Sequence, residues 1–305
     1  MKRGVYFSAS DQVLNWTLAF LKSFRLYNPE LPLVWIPFNE DCDKTAELSK
    51  EYQFETFRDL SFGDMQALGQ AYDLGHSSHG QYWFRRYTAF WGPLDHFIYL
   101  DARQVLLADL SPVFDLLQTD QYDFLYYDIA PDQVYTPGPL RKEFIQKKGA
   151  RSFLSGFWGS RKGLFGKEEM LSLGYESMHH RDQLNPRNTD QAFINYCVDS
   201  KPGLKTGHIA ELLGGYIHKG WANQRGRVYP KGKNYYLWDY RGLDHRKKVL
   251  FLHWAGFHWD DALPQSHILN KFSPPSVSTR LKRIINRMKR KVKSLFWLRK
   301  WMGDI

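Results

Sequence analysis

Short apolar runs alternate with amphipathic stretches through the first hundred residues of the chain. Val5–Ser8 has the compact apolar character of a buried strand. Gln12–Tyr27 places Leu14, Leu18, Leu21 and Phe24 on one helical face, and Pro29 stops that helix. Leu31–Phe38 forms a second apolar run, and strand, helix and strand at this spacing predict a βαβ unit with a parallel sheet. A helix over Asp43–Tyr52, a short strand at Phe54–Phe57 and a helix from Gln81 to Trp91, broken by Gly92-Pro93, continue the alternation. Phe97–Asp101 is then a strand that ends on a carboxylate. Ligands of open α/β sheets bind outside the carboxyl ends of the strands, so Asp101 stands where a ligand is expected. Asp123–Ile129, Phe153–Ser160 and Lys247–His253 are later strand candidates, and Glu168–His180 and Thr189–Val198 have helical character. The pattern predicts one α/β domain over residues 1–272 and a linker over 273–279, centred on Ser273-Pro274-Pro275-Ser276. A separate segment, 280–305, follows.

That last segment changes the picture of charge. The chain carries 42 basic and 32 acidic residues, a net charge of +10. Ten of the basic residues lie from Arg280 onward: Arg280, Lys282, Arg283, Arg287, Lys289, Arg290, Lys291, Lys293, Arg299 and Lys300. Asp304 is the one acid there. Taking these away leaves 32 basic against 31 acidic residues in the first 279. The body is thus nearly neutral, which speaks against a nucleic-acid-binding surface there. In the tail Leu281, Ile284, Ile285, Met288, Val292, Leu295 and Phe296 recur at helical spacing opposite the basic residues, and Trp297 and Trp301 follow. A basic amphipathic helix bordered by Trp is a membrane-surface element. Each basic residue near an anionic leaflet contributes roughly 1 kcal/mol. The alternatives are a helix docked on its own body and a nucleic-acid arm, which would waste the apolar stripe.

Composition adds a little. Hydrophobic residues make up 43% of the chain, enough for a sizeable core, and aromatics 16%, including 11 Trp and 18 Tyr. Such rings stack on the C–H faces of sugars, although most aromatics simply fill cores. Cys42 and Cys197 are too few for a disulfide framework and point to a reducing compartment. With no secretory leader in the opening residues and no apolar run long enough to span a bilayer, the expected location is cytoplasmic, peripheral to membrane. His76, His79, His179 and His180 lack partners at zinc spacing and are expected in solvated loops.

The segment Phe97-Ile98-Tyr99-Leu100-Asp101-Ala102-Arg103, continuing to Asp109-Leu110-Ser111-Pro112, resembles the Asp-x-Asp region of GT-A glycosyltransferases, especially family 8 and its relatives. Four further pieces follow in the family's order. Ser155-Gly156-Phe157-Trp158 resembles its Ser-Gly strand and Asp190-Gln191 its Asp-Gln helix start. Trp221-Ala222-Asn223 resembles its aromatic–Asn turn, and His253-Trp254-Ala255-Gly256 its terminal His-x-x-Gly. The resemblance covers roughly residues 4–258. It implies a Rossmann-like GT-A domain that moves a sugar from a nucleotide-sugar donor to a glycan or lipid-linked acceptor. Retention of configuration is the expected outcome, with inversion as the alternative. A non-catalytic sugar-nucleotide-binding or scaffold protein is the rival reading.

The resemblance also implies site residues. Asp11, Arg85 or its neighbour Arg86, Asp101, Ser155, Gly156, Asn223 and Gly256 would contact the donor. Asp190 and Gln191 would border the reacting carbon. Asp101 and His253 would hold Mn²⁺ or Mg²⁺. Plainer readings stand beside these: Asp11 as a helix cap, Arg85 or Arg86 on a solvated helix face, and Asp190 merely favouring a helix dipole. The departure from the pattern is Arg103, which replaces the second carboxylate and cannot bind a cation. It either neutralises the donor diphosphate itself, marks a site that binds without turning over, or pairs with Asp109 at the surface.

Overall fold

The computed structural model describes residues 1–72, 79–119, 121–187 and 189–289, with Thr189 described in its backbone only. A seven-stranded sheet forms the centre, in the order β3-β2-β1-β4-β7-β6-β8. Its strands are β1 (Arg3–Ala9), β2 (Leu33–Pro37), β3 (Phe54–Thr56), β4 (His96–Asp101), β6 (Phe124–Tyr126), β7 (Phe157–Arg161) and β8 (Thr206–His208). The first four run parallel, as the βαβ pattern predicts, while β7 runs antiparallel to both β4 and β6.

Side-chain alternation splits the core into two layers. Val5 and Phe7 of β1 join Trp35, Ile98 and Leu100 on one face, under helices Leu14–Tyr27 and Ser111–Gln118. Tyr6, Phe97, Tyr99 and Trp158 face the other way, against helices Ser61–Tyr72, Lys167–Ser177 and Thr189–Ser200. A third apolar cluster, built on Trp16, Leu107, Leu237, Leu252 and Trp254, seats the C-terminal part of the chain. It joins β5 (Gln104–Leu106) with β11 (Phe251–His253), and the hairpin of β9 (Arg227–Lys231) and β10 (Asn234–Trp238) with helix Ser266–Phe272.

Several expectations need correction. The helix expected over Asp43–Tyr52 is two short ones, Asp43–Glu47 and Ser49–Tyr52. The helix expected up to Trp91 is a single α-turn, Gly80–Trp83, followed by eight residues of 3₁₀ geometry, Phe84–Trp91. Runs that long are uncommon because 3₁₀ hydrogen bonds are poorer. Lys247–His253 does not enter the central sheet: Phe251–His253 pairs with β5, and Lys248 makes isolated bridges to Tyr216 and Tyr236. The 273–279 stretch is not a free spacer, since Ser273 and Thr279 are buried. A helix at 277–289 leans on the body: Lys282 pairs with Asp260 at 2.9 Å, and the Arg283 guanidinium donates to the Trp259 carbonyl at 2.8 Å. Leu281, Ile284, Ile285 and Met288 of the predicted stripe are exposed. Val292 through Trp301 lie outside the described residues. Among the described residues no helix is long and apolar enough to cross a membrane.

Candidate active site

A cleft of about 430 Å³ opens at the carboxyl ends of β1 and β4. Asp101 ends β4, and the turn Ala102-Arg103 sends the chain into β5. Gln104 pairs with His253 across the small sheet, and the Trp254 amide donates to the Arg103 carbonyl at 3.0 Å. These two contacts bring the terminal His-x-x-Gly segment beside Asp101. His253 Nε2 lies 3.6 Å from Asp101 Oδ2. Burial pulls the His253 pKa down to about 4, and Arg103 and Arg86 push the same way against Asp101. The imidazole is therefore neutral near pH 7.

Gly156 makes that approach possible. A Cβ there would lie 2.7 Å from His253 Cε1 and 3.0 Å from Asp101 Oδ2. Its carbonyl accepts from the Asp101 amide at 3.0 Å and from the Gln104 side chain at 2.6 Å, so the Ser-Gly strand is stitched to the Asp-x-Asp region.

The opposite wall centres on Arg86. The 3₁₀ segment points its two adjacent arginines to different neighbours. Arg85 reaches Glu40 at 2.6 Å and Gln66 at 2.9 Å, away from the cleft. Arg86 lies at the cleft wall, 3.2 Å from Asp101 Oδ1 and 3.5 Å from Asp190 Oδ2, with its guanidinium over the Tyr99 ring. Of the two candidates, it is Arg86 that lines the site. Burial opposes its charge, yet Asp101, Tyr99 and Asp190 outweigh burial and push its pKa up. Ser155 Oγ donates to Asp190 Oδ2 at 3.1 Å, and Tyr87 donates to the Asp190 carbonyl at 2.7 Å. Gln191 accepts from the Ser155 amide at 3.3 Å and donates to the Gln133 carbonyl at 3.1 Å.

Arg103 stands apart. Half-buried on the rim, it makes no ion pair among the described residues. Burial lowers its pKa, with Asp101 as the opposing charge. The Asp109 pairing does not form: that carboxylate accepts from the Ser111 amide and hydroxyl, both at 3.0 Å.

The remaining candidates divide. Ser155, Asp190, Gln191 and Gly256 line the cleft. Asp11 does not: its carboxylate accepts from the Lys44 and Thr45 amides at 2.9 and 2.8 Å, capping helix Asp43–Glu47. Capping was the plainer reading of Asp11, and the helix it caps is not its own. Asn223 is exposed and away from the lining. Sequence reasoning missed Ser8, Ser10, Phe38, Trp83 and His79, which the strand ends and the 3₁₀ entry bring to the cleft. A Ser at the carboxyl end of the apolar run Val5–Ser8 was the available signal for Ser8.

A divalent cation does not fit this donor set. Among the described residues no three His, Cys, Asp or Glu side chains come together as metal ligands. Asp101 and His253 are one pair only, and Arg86 already occupies Asp101 Oδ1. The second carboxylate position holds a guanidinium.

No protein-family model and no curated protein matches the chain. Solved structures do match. Galactosyltransferase LgtC, in complex with donor and acceptor sugar analogs, aligns at 15% identity and a TM-score of 0.55, over 92% of this chain and 99% of LgtC. The chain has the GT-A fold. GlyE of Streptococcus pneumoniae aligns at 13% identity and a TM-score of 0.51, covering 96% of this chain and 64% of GlyE. The bifunctional WbbM aligns at 12% and 0.55, where this chain covers 92% of itself and 51% of WbbM. The cleft described above lies between the carboxyl ends of β1 and β4, where the strand order reverses.

Proposed function

We propose that the protein is a glycosyltransferase that takes a nucleotide-sugar donor and needs no divalent metal. One observation carries the reading: Arg103, a guanidinium without an ion pair among the described residues, stands beside Asp101 at the mouth of a cleft where Arg86 already matches Asp101 and Asp190. Glycosyl transfer makes the nucleoside diphosphate the leaving group, so negative charge grows on it in the transition state. A fixed cation at that point lowers the barrier. Arg103 has the planar fork to meet phosphate oxygens, and the shallow rim leaves it free to do so. Ser8, Ser10 and Phe38 at the strand ends form the nucleotide side, with Gly256 closing the opposite edge.

Asp190, with Gln191 beside it, borders the sugar. With Ser155, Tyr87 and Arg86 around it, its carboxylate is held oriented. In a retaining reaction this pair lines the face where the glycosyl cation forms. In an inverting one Asp190 takes the proton from the acceptor hydroxyl as the C–O bond forms. Retention is our preferred outcome. The family-8 affiliation belongs to the same reading.

The acceptor is a glycan or a lipid-linked glycan, and the site of action is the face of an anionic membrane. The exposed apolar residues Leu281, Ile284, Ile285 and Met288 support this, because the described part of the tail helix docks through Lys282, Arg283 and Asn286 and leaves that stripe to solvent. A thermal-shift screen of UDP-, GDP- and CDP-sugars tests the donor assignment. A bound donor at a hundredfold excess over Kd stabilises the fold by about 2.7 kcal/mol. Failure of every donor to raise the Tm removes the assignment. Donor binding without turnover under any condition favours a binding protein instead.

A further inference from the structure

The hairpin β9–β10 carries a second surface that the sugar-transfer reading does not use. Gly232, at φ +62°, takes the first position of its two-residue turn, where a tight hairpin needs positive φ. Strand alternation then sorts the residues. Val228, Tyr235 and Leu237 point into the core. Arg227, Tyr229 and Lys231 of β9 share the other face with Tyr236 and Trp238 of β10, and the register sets Arg227 opposite Trp238 and Tyr229 opposite Tyr236. With Arg246 these residues line an open groove of about 670 Å³.

Three features of this groove call for a ligand. The rings form a continuous row: Tyr229 and Tyr236 lie 6.1 Å apart, and Tyr229 and Trp238 6.4 Å apart. Its cations are unmatched. Among the described residues no acid pairs with Arg227, Lys231 or Arg246, because Asp239 pairs with Arg225, and Asp244 with His218 and Lys247. Finally, Arg246 adopts φ +60°, a left-handed conformation that is strained for a non-glycine residue. Its amide is tied to the Leu237 carbonyl at 2.8 Å, and its guanidinium sits 5.5 Å over Trp238. The backbone is held under strain with a charge placed beside the largest ring.

We infer that this face binds an acidic glycan: a chain of sugar units that carry carboxylate or phosphate groups. The rings offer flat apolar surfaces for the C–H faces of sugars, and the cations flank them at intervals set by the strand. Arg227 and Lys231, four residues apart, stand about 13 Å apart. Behind this face the hairpin is tied to the strand that ends at His253, the Val249 amide donating to the Tyr235 carbonyl at 2.9 Å.

Binding of the full-length protein to hexagalacturonate and to dextran phosphate, followed by Trp fluorescence and calorimetry, tests the inference. Neutral dextran, a single-stranded RNA and anionic phospholipid vesicles serve as references. We expect at least one acidic glycan to bind about tenfold or more tightly than neutral dextran and the RNA. Trp238→Ala and the double variant Arg227→Ser/Lys231→Ser should each weaken it about tenfold, with an unchanged Tm. Both variants should keep their response to nucleotide sugars, so failure here is distinguishable from failure of the transferase reading. The inference is overturned if neither acidic glycan binds, if both variants bind like the parent, or if the RNA is preferred. It is overturned equally if the two variants lose vesicle binding while glycan binding stays intact.

Discussion

The two walls of the cleft carry the same kind of group in opposite states. On the inner wall Arg86 is buried, with Asp101 and Asp190 within 3.5 Å, the Ser155 carbonyl at 3.3 Å and the Tyr99 ring beneath it. On the outer wall Arg103 sits half-exposed without an ion pair among the described residues. A matched buried charge holds a shape, because removing one member strands the others. An unmatched charge at a rim remains free for a ligand. The inner wall thus sets the geometry of Asp101 and Asp190, and the outer wall supplies charge to the incoming anion.

The sharpest break in this comparison is Arg86→Ala. It leaves two carboxylates facing each other with no cation between them, so we expect a loss of about 3–5 kcal/mol in stability, read from chemical denaturation. A loss below 1 kcal/mol would show that the inner network does not hold the cleft. Next comes Arg103→Ala, with the opposite profile. Stability should stay within about 0.5 kcal/mol of the parent. Turnover should fall by about a hundred- to a thousandfold, the equivalent of 2.7–4 kcal/mol of transition-state stabilisation. Smaller again is Gly156→Ala, whose methyl meets His253 and Asp101 together. Overpacking of this kind costs about 1–3 kcal/mol, and the crystal structure of the variant should show His253 displaced from Asp101.

The mildest prediction concerns what lies behind the outer wall. Asp128 accepts from the Gly220 amide at 2.6 Å, and the Gly220 carbonyl accepts from the His253 amide at 2.8 Å. Burial raises the Asp128 pKa from 3.8 to about 7. Asp199, buried beneath the Tyr135 hydroxyl, is likewise raised to about 7. At these two carboxyls the folded state binds more protons than the unfolded state between pH 4 and 7, so their contribution to stability is full below pH 4 and is lost as pH rises to 7, while His253, with its pKa lowered, works in the opposite direction between pH 4 and 6.5. Asp128→Asn keeps the acceptor for Gly220 and removes the charge. It should remove the Asp128 part of that dependence and raise the Tm at pH 8, while a variant whose Tm follows the parent's at every pH would show that Asp128 ionises freely.

The sequence made much of the site legible, and the walls differ in this too. Asp101 was readable because an unbroken apolar run, Phe97–Leu100, ends on it. Ser155, Asp190, Gln191 and Gly256 were readable from short motifs whose order survives. The choice between Arg85 and Arg86 was not readable: a 3₁₀ segment turns neighbours by a different angle from an α-helix, and only the fold selects the one that faces the cleft. Asp11 was misplaced because its carboxylate caps a helix 33 residues away, which no local pattern reveals. Ser10, Phe38 and Trp83 come together only when parallel strands align their ends. The hairpin escaped notice because Pro230 interrupts an alternation that otherwise marks β9 as a strand.

The central claim is that Arg103 stands in for a metal. Turnover of the donor identified by thermal shift, measured in EDTA and again with added Mn²⁺, tests it most directly. The account predicts the same rate in both, and Arg103→Asp should lose that rate in EDTA. Abolition of the parent's turnover by EDTA, with restoration by Mn²⁺, would contradict it and return Asp101 and His253 to the role of metal ligands.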